Sequence, residues 1–200
     1  MITVLGIGPG APDLQLIKSR QVLTTAQVVI GSPRQLALFP DVASDKKMIL
    51  PHLPQLKIFL QKNQTKSVVL LASGDPLLYG IGKWIQTVLP ADQICIIPGI
   101  SSIQYFFNKL HLSMNDCYLT SSHGKNPNFD FLLLHDKVAM VTDQRWGPFQ
   151  IAQAILSRQQ SRRLYIGENL SYPTEKISVY AAAAVPDRHY EMNVVIITNA

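Results

Sequence analysis

Residues 67–82, SVVLLASGDPLLYGIG, join an unbroken apolar run to a glycine-rich turn. The run Ser67–Ala72 is short, aliphatic and uncharged, which predicts a central strand buried on both faces of a sheet. The turn behind it, Ser73-Gly74-Asp75-Pro76 and on to Gly82, falls at the carboxyl end of that strand, where open α/β sheets bind their ligands. Asp75 precedes a proline, so its backbone is held extended and its carboxylate projects from the strand end. There it can accept hydrogen bonds from a ligand's hydroxyl or ammonium groups. The alternative is a cap on the helix that follows; the glycines beyond Asp75 favour the ligand role.

Outward from this strand, β-rich runs alternate with segments of helical period. Ile2–Ile7 reads as a strand ending in a glycine turn, and Leu14–Ala26 as a helix with Leu16, Ile17, Leu23 and Ala26 on one face. Val28–Ile30, Met48–Leu50 and Ile94–Ile97 read as further strands. Helices are predicted around Leu53, Leu56 and Leu60, around Ile81, Trp84, Ile85 and Val88, and around Ile103, Phe106, Phe107 and Leu110. This alternation predicts a largely parallel, helix-covered sheet. Beyond Asn115 the texture changes. Cys117–Ser121, Lys137–Thr142, Leu164–Gly167, Lys176–Ala184 and Asn193–Thr198 read as strands, with one helix after Pro148. The reading is an α/β chain of two domains, 1–115 with a mostly parallel sheet and 116–200 with a mixed one.

The 200 residues are 47% hydrophobic and 16% charged, which supplies a sizeable core and excludes compositional disorder. No apolar run is long enough to span a bilayer, and Met1-Ile2-Thr3-Val4 opens a strand where a leader would be basic. A cytoplasmic protein without a membrane partner is the expectation. Cys95, Cys117 and the five histidines are scattered, so no metal site is expected. The net charge of +5 is spread along the chain, with local pairs at Lys46-Lys47 and Arg162-Arg163. No basic tract interleaves with aromatics, which speaks against a nucleic-acid partner, while a mild positive field suits a small polyanionic substrate.

Two more turns sit at strand ends. Gly6-Ile7-Gly8-Pro9-Gly10 follows the first strand; it brings its third glycine too early for a dinucleotide fingerprint and lacks the Gly-Lys-Ser/Thr of a phosphate loop. By itself it fits a tight turn as well as a binding loop. Pro98-Gly99-Ile100-Ser101-Ser102 leads from a strand into a helix, where either serine can cap and free N–H groups can hold a carboxylate.

In this order and spacing, the three turns and the late Glu168-Asn169-Leu170 resemble the tetrapyrrole methylase family of S-adenosylmethionine enzymes over the whole chain. Ser121-Ser122-His123-Gly124-Lys125 is similar to the Ser-x-His-Gly-Arg segment of the branch that methylates carbon 5 of a cobalamin precursor. The resemblance implies a two-domain fold with S-adenosylmethionine in the cleft between the domains. It implies cofactor contacts from Pro9, Ser73, Gly74, Asp75, Leu78, Ser101 and Ser102, and from Thr142, Ile166 and Gly167 of the second domain. Gly6, Gly8 and Gly10, with His123 and Lys125, would face the tetrapyrrole. A homodimer is implied as well. With the chain ending at Ala200, methylation and decarboxylation at carbon 15 would fall to a separate protein.

Methyl transfer from a sulfonium demands orientation above all, so the catalytic assignment stops at His123 as a candidate. Ala11, Lys125 and Ser171 depart from the family pattern, and Lys125 in place of arginine keeps charge but loses bidentate carboxylate recognition. The alternatives are a methylase of the same fold acting on another tetrapyrrole, on ribosomal RNA or on a protein, and a nucleotide-binding module without chemistry. The basic charge favours RNA; the Ser-x-His-Gly segment counts against it.

Overall fold

The computed structural model describes residues 1–200, which divide into two compact units, Met1–Ser101 and Ser102–Ala200. In the first unit the elements run β1 (Ile2–Gly6), α1 (Ile17–Thr25), β2 (Val28–Gly31), α2 (Pro33–Ala37), β3 (Lys47–Ile49), α3 (Leu53–Lys62), β4 (Val68–Ala72), α4 (Gly82–Val88) and β5 (Ile94–Ile97). The five strands form one sheet in the order β3-β2-β4-β1-β5, every pair parallel. The sequence's reading of β4 holds: it is central, and all five of its residues are buried.

Successive side chains of a strand point to opposite faces, and β4 shows both faces in use. Val68, Leu70 and Ala72 pack with Leu56 and Leu60 of α3 and Ile85 of α4. Val69 and Leu71 pack on the other side with Leu23 of α1 and Leu36 of α2. Helices on both faces require the connections to travel in both directions. The chain leaves β1 for β2 and leaves the adjacent β4 for β5, so the carboxyl ends of β1 and β4 mark the reversal of strand order.

In the second unit the order is α5 (Ser102–Lys109), β6 (Tyr118–Ser121), α6 (Phe129–Leu132), β7 (Lys137–Val141), α7 (Pro148–Leu156), β8 (Arg162–Glu168), β9 (Lys176–Ala181) and β10 (Asn193–Asn199). The sheet is mixed, β6-β7-β10-β8-β9, with β6 parallel to β7 and the other pairs antiparallel. Phe106 and Phe107 of α5 pack against Ala139, Val194 and Ile196 on one face, while α6 and α7 cover the other. That packing commits α5 to the second sheet, and the division by contacts falls at its head, ahead of the boundary expected near Asn115.

Four readings shift. Leu16 and Ile17 are exposed, Ile17 by 80%, so the buried side of α1 is Ser19 and Leu23, with Ala26 beyond its end. The strand expected over Lys176–Ala184 stops at Ala181, and Ala182–Ala184 forms a 3-10 turn. Helix α2 was unforeseen, although Ser32-Pro33-Arg34-Gln35 spells a capping box that the structure realises. Arg162 of the basic pair is buried, donating to the carbonyl oxygens of Leu133 and His135 and to the Asn199 side chain.

Because β4 is packed on both faces, Leu70→Ala and Leu71→Ala should each destabilise by about 2–5 kcal/mol in urea denaturation. Ile17→Ala should change stability by less than about 0.5 kcal/mol. Equal effects of all three would contradict the two-sided packing of β4.

Candidate functional site

The first unit gathers its candidate residues by bringing backbone against backbone. A Cβ on Gly99 would lie 2.2 Å from the Gly74 carbonyl oxygen, and one on Gly6 would lie 2.5 Å from the Gly99 nitrogen. Only glycine permits that approach. The loops after β1 and β4 then pair: Gly74 N–H donates to the Gly8 carbonyl at 2.7 Å, and Gly8 N–H returns to the Gly74 carbonyl at 3.4 Å. Gly8 and Gly74 have φ of 76° and 64°, the left-handed region that L side chains avoid.

Asp75 closes this set from the third side. Its Oδ1 accepts the Leu77 N–H at 2.8 Å and its Oδ2 accepts the Gly99 N–H at 3.2 Å. The carboxylate therefore ties the β4 loop to the β5 loop. It does not cap the following helix, since α4 begins at Gly82 without a side-chain cap. Pro9 and Gly10 are buried beside this cluster in sequence, Leu78 is half-buried, and Ser73 is exposed. The Ser73 hydroxyl accepts from Gln35 Nε2 at 3.0 Å and from Arg34 Nη2 at 3.4 Å. Ser101 is buried and Ser102 half-buried where the chain enters α5.

In the second unit, Thr142 stands at the end of β7 and its hydroxyl lies 2.9 Å from the Asn193 carbonyl and 2.7 Å from the Asn193 amide oxygen. Both residues line a groove of about 400 Å³ with Asp143, Tyr190, Glu191 and Met192 among its walls. Ile166 and Gly167 lie apart from that lining. The Ile166 side chain belongs to the core, and a Cβ on Gly167 would meet Leu170 Cδ2 at 2.6 Å, so this glycine makes room for Leu170. The stretch Glu191–Asn193 was missed in the sequence; the signal was its place opposite Thr142, which only the antiparallel β7-β10 pairing supplies.

Glu168 explains how that wall is held. It is 4% exposed, and Arg188 bonds it through two guanidinium nitrogens, at 2.5 and 3.0 Å. The Glu191 N–H adds a third donor at 3.1 Å, and Arg188 stacks 3.8 Å above the Tyr190 ring centroid. Burial pushes the Glu168 carboxyl upward, yet the Arg188 and Glu191 donors outweigh it and hold the group below its ordinary value. Glu175 behaves alike: burial raises it, and the Ser171 N–H, the Tyr105 hydroxyl and Lys109 bring it down. Ser171 itself has φ 68°, the conformation glycine enters freely.

The segment 121–125 turns after β6 from buried Ser121 and Ser122 to exposed His123, Gly124 and Lys125. His123 Nδ1 lies 3.1 Å from Ser121 Oγ, the Lys125 N–H bonds the Ser122 carbonyl, and both long side chains are exposed. The neighbouring turn after β7 carries Asp143, whose carboxyl is lowered first by the Trp146 N–H, with the Ser122 hydroxyl and the charge of His123 contributing. Parallel pairing of β6 and β7 thus sets His123 near one wall of the groove.

Residues 1–185 match the family described as tetrapyrrole (corrin/porphyrin) methylases. The cobalt-precorrin-7 C(5)-methyltransferase of Salmonella typhimurium is 40% identical over 198 residues, covering 98% of each chain. Among solved structures, a precorrin-6Y methylase from Archaeoglobus fulgidus superposes with a TM-score of 0.80 at 20% identity, covering 100% of this chain and 98% of that one. A uroporphyrin-III C-methyltransferase from Thermus thermophilus, complexed with S-adenosylhomocysteine, gives 0.76 at 20% identity over 98% and 96%.

Asp75→Ala should lower the unfolding free energy by about 1.5–3 kcal/mol, the range for hydrogen bonds to a charged group. Unchanged urea denaturation would remove its bridging role. Acid should act through Glu168 and Glu175. A carboxyl held low by folding stabilises above its unfolded value and loses that contribution as pH falls through the folded one. Stability should therefore decline as pH drops below the ordinary glutamate value of 4.5. Glu168→Gln should be less stable at neutral pH and show a shallower decline; matching slopes in thermal melts would refute the assignment.

Proposed function

The chain belongs to the tetrapyrrole (corrin/porphyrin) methylases, and from that premise we propose that it transfers a methyl group from S-adenosylmethionine to carbon 5 of a cobalt-precorrin during cobalamin assembly. The observation that carries this reading is the 40% identity to the Salmonella typhimurium enzyme, sustained over 98% of both chains. The sulfonium supplies an activated methyl group, and the ring carbon that receives it releases a proton.

The residues of this chain fit such a donor. Pro9, Ser73, Gly74, Asp75, Leu78, Ser101 and Ser102 are its proposed contacts at the strand-end loops. Asp75 and the glycine backbones serve by rigidity: an in-line displacement gains most from fixed reactants, and these loops are fixed by bonds within themselves. Thr142, with the Ile166-Gly167 backbone, is the proposed contact of the second unit. The groove beside Thr142, about 400 Å³ with polar and aromatic walls, is of a size that takes a nucleoside. Gly6, Gly8 and Gly10 line the proposed tetrapyrrole side. His123 and Lys125, both exposed, would meet the substrate. The Ser121 hydroxyl, 3.1 Å from His123 Nδ1, holds the orientation of that ring.

We place the protein in the cytoplasm as a homodimer, with a separate enzyme acting at carbon 15. No helix is long and apolar enough to cross a membrane. Support for self-association comes from the edge strand β6, where exposed Tyr118 packs 5.2 Å from exposed Phe131, with Leu134 78% exposed nearby in sequence. A monomer mass in light scattering would remove the dimer.

Anaerobic incubation with cobalt-precorrin-7 and labelled methyl donor should place the label at carbon 5, seen by carbon NMR of the product. Labelling of an RNA or protein fraction with no transfer to the corrinoid would overturn this reading.

A further inference from the structure

We infer that Glu175 is a positioning residue for the methyl donor: from outside the groove beside Thr142, it fixes the turn to which one wall of that groove is bonded. The inference rests on the donor's proposed place in the groove and adds to it a residue outside every motif read in the sequence. All the groups involved belong to the second unit.

Strand β8 ends at Glu168 and β9 begins at Lys176. Between them the chain turns through Asn169 and Ser171, whose φ angles of 46° and 68° lie in the left-handed region. Left-handed backbone at two such residues, neither of them glycine, costs energy that contacts outside the turn must offset. Within the turn, the Tyr172 N–H donates to the Asn169 carbonyl at 3.0 Å and the Glu175 N–H to the Tyr172 carbonyl at 2.9 Å. On the groove side, the Asn169 N–H donates to the Met192 carbonyl at 2.8 Å, and Met192 lines the groove together with Thr142.

Glu175 supplies the hold on the other side. Its Oε2 accepts the Ser171 N–H and the Tyr105 O–H, each at 2.7 Å, and its Oε1 pairs with Lys109 Nζ at 3.1 Å. Tyr105 and Lys109 stand one turn apart on α5, the helix that begins at Ser102. One half-buried carboxylate thus joins α5 to the turn, and the turn joins the wall at Met192. Hydrogen bonds to a charged acceptor are about twice as strong as neutral ones, which makes this a firm tie. Glu175 is not among the residues that line the groove, so it acts through Met192 and not on the donor itself. A wall ordered during folding need not be ordered again when the ligand binds.

The test uses the full chain well below its melting temperature. S-adenosylhomocysteine affinity is read by calorimetry and folding by the urea midpoint. Glu175→Ala cuts the tie from the turn; Tyr105→Phe combined with Lys109→Met cuts it from the helix. A released wall is competent in only a fraction of molecules, and apparent affinity falls by that fraction, so each cut should weaken binding roughly tenfold. Glu175→Gln keeps an acceptor oxygen for the Ser171 N–H and should recover most of the loss. Ile155→Val trims the core beside α7, and should lower the urea midpoint while leaving the affinity at the parent value. Parent affinity in either folded cut overturns the inference. So does an equal loss in Ile155→Val, which would make the effect one of stability alone. Should Glu175→Ala fail to fold, the double substitution decides. If the unsubstituted protein binds S-adenosylhomocysteine but methylates no corrinoid, the proposed substrate fails and this inference stands; if it does not bind S-adenosylhomocysteine, the donor site fails and this inference with it.

Discussion

The approach of three glycine backbones at the carboxyl edge of the first sheet is the constraint from which the candidate site follows. A Cβ on Gly6, at the end of β1, or on Gly99, after β5, would strike backbone of the adjoining segments, Gly74 of the β4 loop among them, within 3 Å. Backbone cannot yield as a flexible side chain can, so these loops take one arrangement or lose contact altogether. Asp75 completes the arrangement with two backbone donors, one local and one across the gap. A loop fixed this way needs no further ordering when a ligand arrives, which is what displacement chemistry asks of its scaffold.

The second unit reaches a comparable end by charge. Glu168 is buried, and its cost in lost hydration is met by Arg188 and by the Glu191 N–H. Arg188 in turn lies over Tyr190, so the wall of the groove beside Thr142 hangs on one ion pair. The two devices differ in their sensitivity to conditions. Glycine packing is indifferent to pH, whereas a carboxylate network weakens once protons compete for its oxygens.

Much of this was legible beforehand, for reasons that can be traced to particular residues. The apolar run of β4 admits no exposed face, so its central place followed from composition alone. The glycine turns after β1, β4 and β5 mark strand ends whatever their partners, and their order along the chain carried the family resemblance. Helix α1 misled because Leu16 and Ile17 sit at helical spacing from Leu23, while its first turn is left in solvent. Helix α5 was read with the first domain because an amphipathic face shows that a helix is covered without showing by which sheet. Its phenylalanines pack on β7 and β10, far along the chain.

The sequence by itself determined the parallel and mixed character of the two sheets, the buried strand and the loops that bear the candidate site, since these depend on hydrophobic period and on where glycine is allowed. Tertiary structure decided which side chains meet. Nothing in the order of residues joins Gln35 and Arg34 to Ser73, Asp75 to Gly99, Thr142 to Asn193 or Glu168 to Arg188. Each of those pairs spans a strand crossover or a long loop, and the register that aligns them arises from packing of the core, which local pattern does not encode.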